Sequence, residues 1–183
     1  VLPTRRLLEI IADLKRAFPG LERVSSYCLP RNLAKKSVEE LAQLREAGLK
    51  ILYVGMESGD DEILRRVNKG ETWESTRSAL VKIREAGLVS SVMVLNGLGG
   101  EALSRQHAIN TATLCNETQP DYLSTLVVSF PQGEERFREG FGADFVPLGQ
   151  QALFEEIRVF LEHLELDNTI FRSDHASNYL VLK

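Results

Sequence analysis

The phrase Leu44-Arg45-Glu46-Ala47-Gly48-Leu49 returns as Ile83-Arg84-Glu85-Ala86-Gly87-Leu88. Each copy closes a stretch with helical spacing of apolar residues, stops at a glycine and runs on into a short apolar segment, so the repeated unit is a helix followed by a strand. The segments Lys50 to Gly59 and Val89 to Asn96 are rich in β-branched residues, the pattern of strands in a parallel sheet covered by helices. Two more strands are predicted over Arg23 to Cys28 and Tyr122 to Phe130. Helices are predicted from a Thr4 cap through Ala17, from Ser37 with Glu40 at capping-box spacing to Gly48, over Glu62 to Asn68, Glu74 to Ala86, Ser104 to Asn116 and Gln151 to Leu164. Loop is expected from Phe130 to Gly149, and a strand-like run at Tyr179 to Leu182.

Strands that alternate with helices demand a parallel sheet with right-handed crossovers. The fold class is therefore α/β, with strand order expected to follow the sequence, as in a TIM-barrel-like parallel (β/α) barrel. The chain has 183 residues, whereas a complete eightfold barrel takes roughly 250. An incomplete barrel over residues 1–148, followed by a helical extension and tail over 149–183, is the expected organisation. The first residue is Val1, and the ragged ends suggest an excised piece of a longer protein.

A net charge of −4 with scattered basic pairs supplies no footprint for nucleic acid. No apolar run approaches the roughly 20 residues that cross a bilayer, so a cytoplasmic protein is expected. Cys28 and Cys115 stand far apart, in neither a zinc nor a disulfide pattern, and both read as packing residues. His107 and His163 read as surface or internally satisfied helix residues, and His175 belongs to a polar cluster over 172–178.

Parallel sheets bind ligands beyond the carboxyl ends of their strands. Two such ends carry candidate groups here: Glu57-Ser58-Gly59 and the glycine-rich Gly97 to Glu101. A carboxylate there would attract an ammonium or sulfonium, and glycine lets backbone come close to a ligand. The structural alternative is that the glycines serve turns and that Glu57 or Ser58 caps the next helix. Gly97, Gly99 and Ala102 also match a G-x-G-x-x-A dinucleotide fingerprint. Glu101 would oppose a pyrophosphate, however, and the acidic residue wanted after the following strand is missing.

Val54-Gly55-Met56-Glu57-Ser58-Gly59, then Ile63-Leu64, Asn68-Lys69-Gly70, Ala86-Gly87-Leu88 and the strand ending Asn96-Gly97-Leu98-Gly99-Gly100-Glu101 together resemble the second half of a radical S-adenosylmethionine domain. The resemblance covers roughly Arg23 to Phe130 and implies strands three to six of a six-stranded partial barrel. It implies that Glu57 and Ser58 hold the methionine and ribose parts of S-adenosylmethionine. Leu95, Gly97 and Glu101 would line the adenine, and residues near Ser26 to Arg31 would face the site from strand three. Gly99 stands where proline is common in the family. The family's C-x3-C-x2-C loop for a [4Fe–4S] cluster is not in the chain, so neither cluster nor cofactor is expected on this chain alone. In the intact parent, an iron-sulfur oxidoreductase, the cluster would reduce S-adenosylmethionine and the resulting radical would abstract hydrogen from an unknown substrate. The alternatives are a non-catalytic binding module of barrel ancestry and a dinucleotide-binding oxidoreductase. An exposed barrel edge would favour self-association.

Overall fold

The computed structural model describes residues 2–182. In chain order the elements are α1 (Thr4–Ala17), β1 (Val24–Cys28), α2 (Pro30–Leu33), α3 (Val38–Ala47), β2 (Leu49–Glu57), α4 (Asp61–Arg66) and α5 (Trp73–Glu85), then β3 (Val89–Asn96), α6 (Gly100–Thr118), β4 (Tyr122–Val127), α7 (Glu135–Phe141), α8 (Gln150–Glu162) and β5 (Ile170–Arg172). The strands form one parallel sheet in the order β1-β2-β3-β4-β5. Sequential order is what barrel winding produces; a doubly wound sheet reverses order at a switch point.

The register separates the two faces of the sheet. Leu52, Val54 and Met56 of β2, Val92 and Val94 of β3 and Leu123 of β4 point into the main core, against Leu41, Leu44, Ile83, Ala112 and Phe160 from the helices. The opposite, concave face carries Tyr27, Ile51, Tyr53, Gly55, Ser91, Met93 and Ser124, most of them half-buried. Tyr27 and Tyr53 stack there at 5.0 Å between ring centroids. A cross-strand aromatic pair of this kind fixes the β1–β2 register.

The cap at Ser37 forms as the spacing predicts, Ser37 Oγ accepting from Glu40 N, and at the start of α5 Thr72 Oγ1 accepts from Ser75 N. Thr4 differs. It is the first helical residue, and its hydroxyl is buried and accepts from Lys36 Nζ at 3.2 Å instead of capping. The expected loop over 130–149 contains α7, whose Phe137 and Phe141 stack on each other and meet Phe130 and Phe145 at tilted or edge-on angles in an aromatic knot. The strand predicted to end at Phe130 ends at Val127, because Phe130 leaves the sheet to join that knot.

The sequence reading has four strands and the sheet has five. β5 pairs with β4 through Ile170, Phe171 and Arg172, and the apolar run near the end of the chain contributes only a bridge from Leu182 to Ser173. Beyond β5, the carboxamide of Asn178 takes the place of a strand. It accepts from Val127 N at 2.9 Å and donates to the Thr125 carbonyl at 2.7 Å.

Candidate functional site

β2 ends in a strained turn. Ser58 N donates to the Met56 carbonyl at 2.8 Å, and Glu57 between them has φ +63°, a left-handed backbone outside glycine. The ladder to β3 slips at this point, with Gly55 opposite Met93 and Glu57 opposite Val94. Such a conformation costs on the order of 1–3 kcal/mol and persists where the surroundings enforce it. Its effect is to fold the Glu57 side chain back over Gly55: a Cβ on Gly55 would stand 2.5 Å from Glu57 Oε1. Glycine at 55 is thus the cradle of the Glu57 carboxylate on the concave face.

Lys69 Nζ donates to Glu57 Oε1 at 2.7 Å, with both side chains about one-fifth exposed. The lysine is delivered by the Asn68-Lys69-Gly70 segment, which Arg31 grips through the Lys69 carbonyl at 2.9 Å. Arg31 N in turn donates to the buried carboxylate of Glu71. Glu57 therefore has one oxygen held by an ammonium, which leaves the other oxygen able to accept a further hydrogen bond.

The neighbouring residues of the same motif serve a different end. Ser58 is wholly buried; its Oγ contacts His107 Nδ1 at 2.8 Å and accepts from Asp60 N at 3.0 Å. His107 Nε2 contacts the Leu95 carbonyl at 3.0 Å. Because a carbonyl only accepts, the imidazole carries its proton on Nε2, and Nδ1 accepts from the Ser58 hydroxyl. One histidine thus joins the ends of β2 and β3. The Ser58 side chain, expected at the ligand, is buried and engaged between the strand end and α6.

Within the range Ser26 to Arg31, Ser26 and Tyr27 face opposite sides. Ser26 pairs with Leu52, a core residue, and lies on the helix-facing side of the sheet with its Oγ donating to the Tyr27 carbonyl. Successive strand residues face opposite sides, so a displacement of one position removes it from the concave face and puts Tyr27 there.

Gly97 follows β3 with φ +83°, and Glu101 lies exposed in the first turn of α6. Leu95 is half-buried on the concave side. The residue missed by sequence reasoning is Glu156 of α8. It is buried, and it accepts from Gly97 N and from Ser104 Oγ, each at 2.6 Å. The fingerprint amide that a pyrophosphate would need is therefore already bound to a carboxylate, which counts against the dinucleotide alternative. The signal for Glu156 was present in the sequence: it stands in the apolar stripe Leu153, Ile157, Phe160 of its helix.

Beside the strand ends lies a cavity of about 800 Å³ lined by Arg66, Asn68, Ser129, Phe130, Arg136 and Phe137 among others. A cluster is another matter. Among the described residues no three His, Cys, Asp or Glu side chains gather as a metal site. Burial pushes the thiols of Cys28 and Cys115 from 9.0 up to about 12, with the charge of Glu71 adding to the effect at Cys28. Thiols so held are poor ligands, so the residues present do not fit a [4Fe–4S] cluster.

At pH 8 a thiol of pKa about 12 has a thiolate fraction roughly a thousandfold below that of an ordinary cysteine. Alkylation of the native chain by iodoacetamide is accordingly expected to be slow at both cysteines and rapid after unfolding, as mass spectrometry would read. Because the folded values are raised, the unfolded thiols ionise first. Their contribution to stability is full below about pH 9 and is lost as pH rises toward about 12.

Comparison with known proteins follows the same lines. The profile of the Radical SAM superfamily matches residues 2–115. The heme chaperone HemW of Bacillus subtilis is 26% identical over 113 residues, which are 61% of this chain and 30% of that protein. Coproporphyrinogen III oxidase HemN from Escherichia coli, described as a radical SAM enzyme, superposes with a TM-score of 0.70 at 21% identity over 88% of this chain and 37% of its own. Methylornithine synthase PylB gives 0.61 at 17% identity over 91% of this chain and 44% of its own. The chain thus spans less than half the length of each. No helix among the described residues is long and apolar enough to cross a membrane.

Proposed function

The chain belongs to the radical SAM superfamily, and from that premise we propose that it forms the adenosyl-binding portion of an S-adenosylmethionine site in a longer iron-sulfur oxidoreductase. The observation that carries the reading is the strained turn at Glu57, which spends backbone energy to lay a carboxylate on the open face at the carboxyl end of the sheet. S-adenosylmethionine, when bound and reductively cleaved, supplies a 5′-deoxyadenosyl radical; the protein orients it.

In this reading Glu57 Oε2 accepts from a ribose hydroxyl or the ligand's amino group while Lys69 holds the carboxylate in place. Leu95, the turn at Gly97 and the end of β4 form the wall for the adenine, and Glu101 stands at its rim. The cavity beside Asn68 and Phe130 is the side from which substrate approaches. β1 pairs only with β2 among the described strands, and its free edge is where further barrel strands or a second copy would add.

Calorimetric titration of the chain with S-adenosylhomocysteine and with S-adenosylmethionine tests the reading: the sequence alone leads to no cofactor on this chain, whereas the adenosyl groups proposed here all lie on β2 to β4, so binding without cleavage is the result expected. Glu57→Ala is expected to weaken binding about tenfold or more, the worth of one charge-assisted hydrogen bond. A nicotinamide dinucleotide is expected not to compete. Equal affinity in wild type and Glu57→Ala would remove Glu57 from the site.

A further inference from the structure

We infer that Glu156 of α8 is a positioning residue for the glycine-rich turn after β3, so that the adenine wall depends on a helix outside the part of the chain that matches the family profile. The profile ends at residue 115, and α8 spans Gln150–Glu162. The inference rests on the adenosyl reading for its function, and on geometry of its own for the positioning.

Burying a carboxylate is expensive unless hydrogen bonds repay it. Glu156 is 3% exposed, and both its oxygens are committed to the β3–α6 connection, Oε1 to Gly97 N and Oε2 to Ser104 Oγ. One turn earlier on the same helix, Leu153 presses on the same glycine: a Cβ at Gly97 would meet Leu153 Cδ2 at 3.0 Å and Val128 Cγ1 at 3.3 Å. Gly97 also accepts from Gly100 N at 3.1 Å. α8 therefore clamps Gly97 twice, by an apolar wall and by an anion on its amide. A core that needed only packing would place another leucine at 156, since the flanking stripe is apolar. The carboxylate instead fixes where the Gly97 peptide points, and with it the orientation of the turn beside Glu57.

The experiment is amide hydrogen exchange resolved at Gly97, together with S-adenosylhomocysteine titration, on wild type, Glu156→Ala, Glu156→Gln and Val159→Ala. Val159 is buried on the same helix and bears on core packing alone. Gly97 exchange is expected to rise about tenfold in Glu156→Ala and to stay within about threefold in Glu156→Gln, which retains an acceptor. The dissociation constant for S-adenosylhomocysteine is expected to rise about tenfold in Glu156→Ala and to stay within about twofold in Val159→Ala. Ser104→Ala, which removes one anchor of the carboxylate, gives the same pattern in milder form if Glu156→Ala does not fold. Unchanged Gly97 exchange in Glu156→Ala, or equal loss of affinity in Glu156→Ala and Val159→Ala, would overturn the inference. If the wild type binds no S-adenosylhomocysteine while Gly97 exchange still rises, the adenosyl reading falls and the positioning stands.

Discussion

Gly59→Ala is expected to destabilise the chain by about 3 kcal/mol, although it adds a single methyl group. A Cβ at this position would stand 2.6 Å from the Asn110 carbonyl oxygen and 2.7 Å from Thr111 Cα, both backbone atoms of α6. Backbone inside a 19-residue helix has little room to yield. The helix must instead retreat from the end of β2, which stretches the bond from Gly59 N to Thr111 Oγ1 at 2.9 Å and that between Ser58 and His107 at 2.8 Å. Overpacking of this kind costs about 1–3 kcal/mol, and each weakened buried hydrogen bond adds about 1 kcal/mol. Urea denaturation monitored by circular dichroism reads the loss as a fall in midpoint at unchanged slope. A loss below about 0.5 kcal/mol would mean that the two backbones do not approach this closely.

Asp60→Ala is expected to cost about 2.5–4 kcal/mol, through lost polar bonds where Gly59 acts through space. Asp60 is 2% exposed. Its Oδ1 accepts from Ile63 N at 3.0 Å and so caps α4, while Oδ2 accepts from Gln106 Nε2 at 2.8 Å and Asn110 Nδ2 at 2.6 Å. Alanine removes the cap, worth about 1 kcal/mol, and leaves two amide groups without their charged acceptor at about 1.5–3 kcal/mol more. Asp60→Asn keeps the cap and turns a donor toward donors, so its loss is expected to be intermediate. If Asn and Ala lose equally, the cap contributes nothing.

These two variants show why the motif at the end of β2 was only partly legible. Periodicity and the repeated helix-glycine-strand phrase predict β2, β3, their helices and the sequential sheet, because burial on a pleated strand imposes its pattern directly on the sequence. Glu57-Ser58-Gly59 reads as one site in one dimension. Folding divides it: Glu57 turns to the concave face, whereas Ser58, Gly59 and Asp60 bolt the strand to α6. Within Ser26 to Arg31 the sequence does not say which side chain faces the site, and alternation puts Tyr27, not Ser26, on the concave face. α7 has seven residues and β5 three, too short for a period to show against flanking glycine, proline and polar residues. Glu156 and Gly97 are 59 positions apart, and no local rule pairs them. The one trace is an acid on an apolar helical stripe, the kind of local inconsistency that marks a polar role inside a core.

The most direct test of the central claim, that the carboxyl ends of β2 and β3 form an adenosyl site, is titration of the ¹⁵N-labelled chain with S-adenosylhomocysteine followed by amide chemical shifts. Shifts confined to residues around Glu57, Lys69, Leu95, Gly97 and Val127, and lost in Glu57→Ala, are the result expected. Shifts centred elsewhere, such as on the β1 edge around Ser26, or no saturable shift at all, would contradict it.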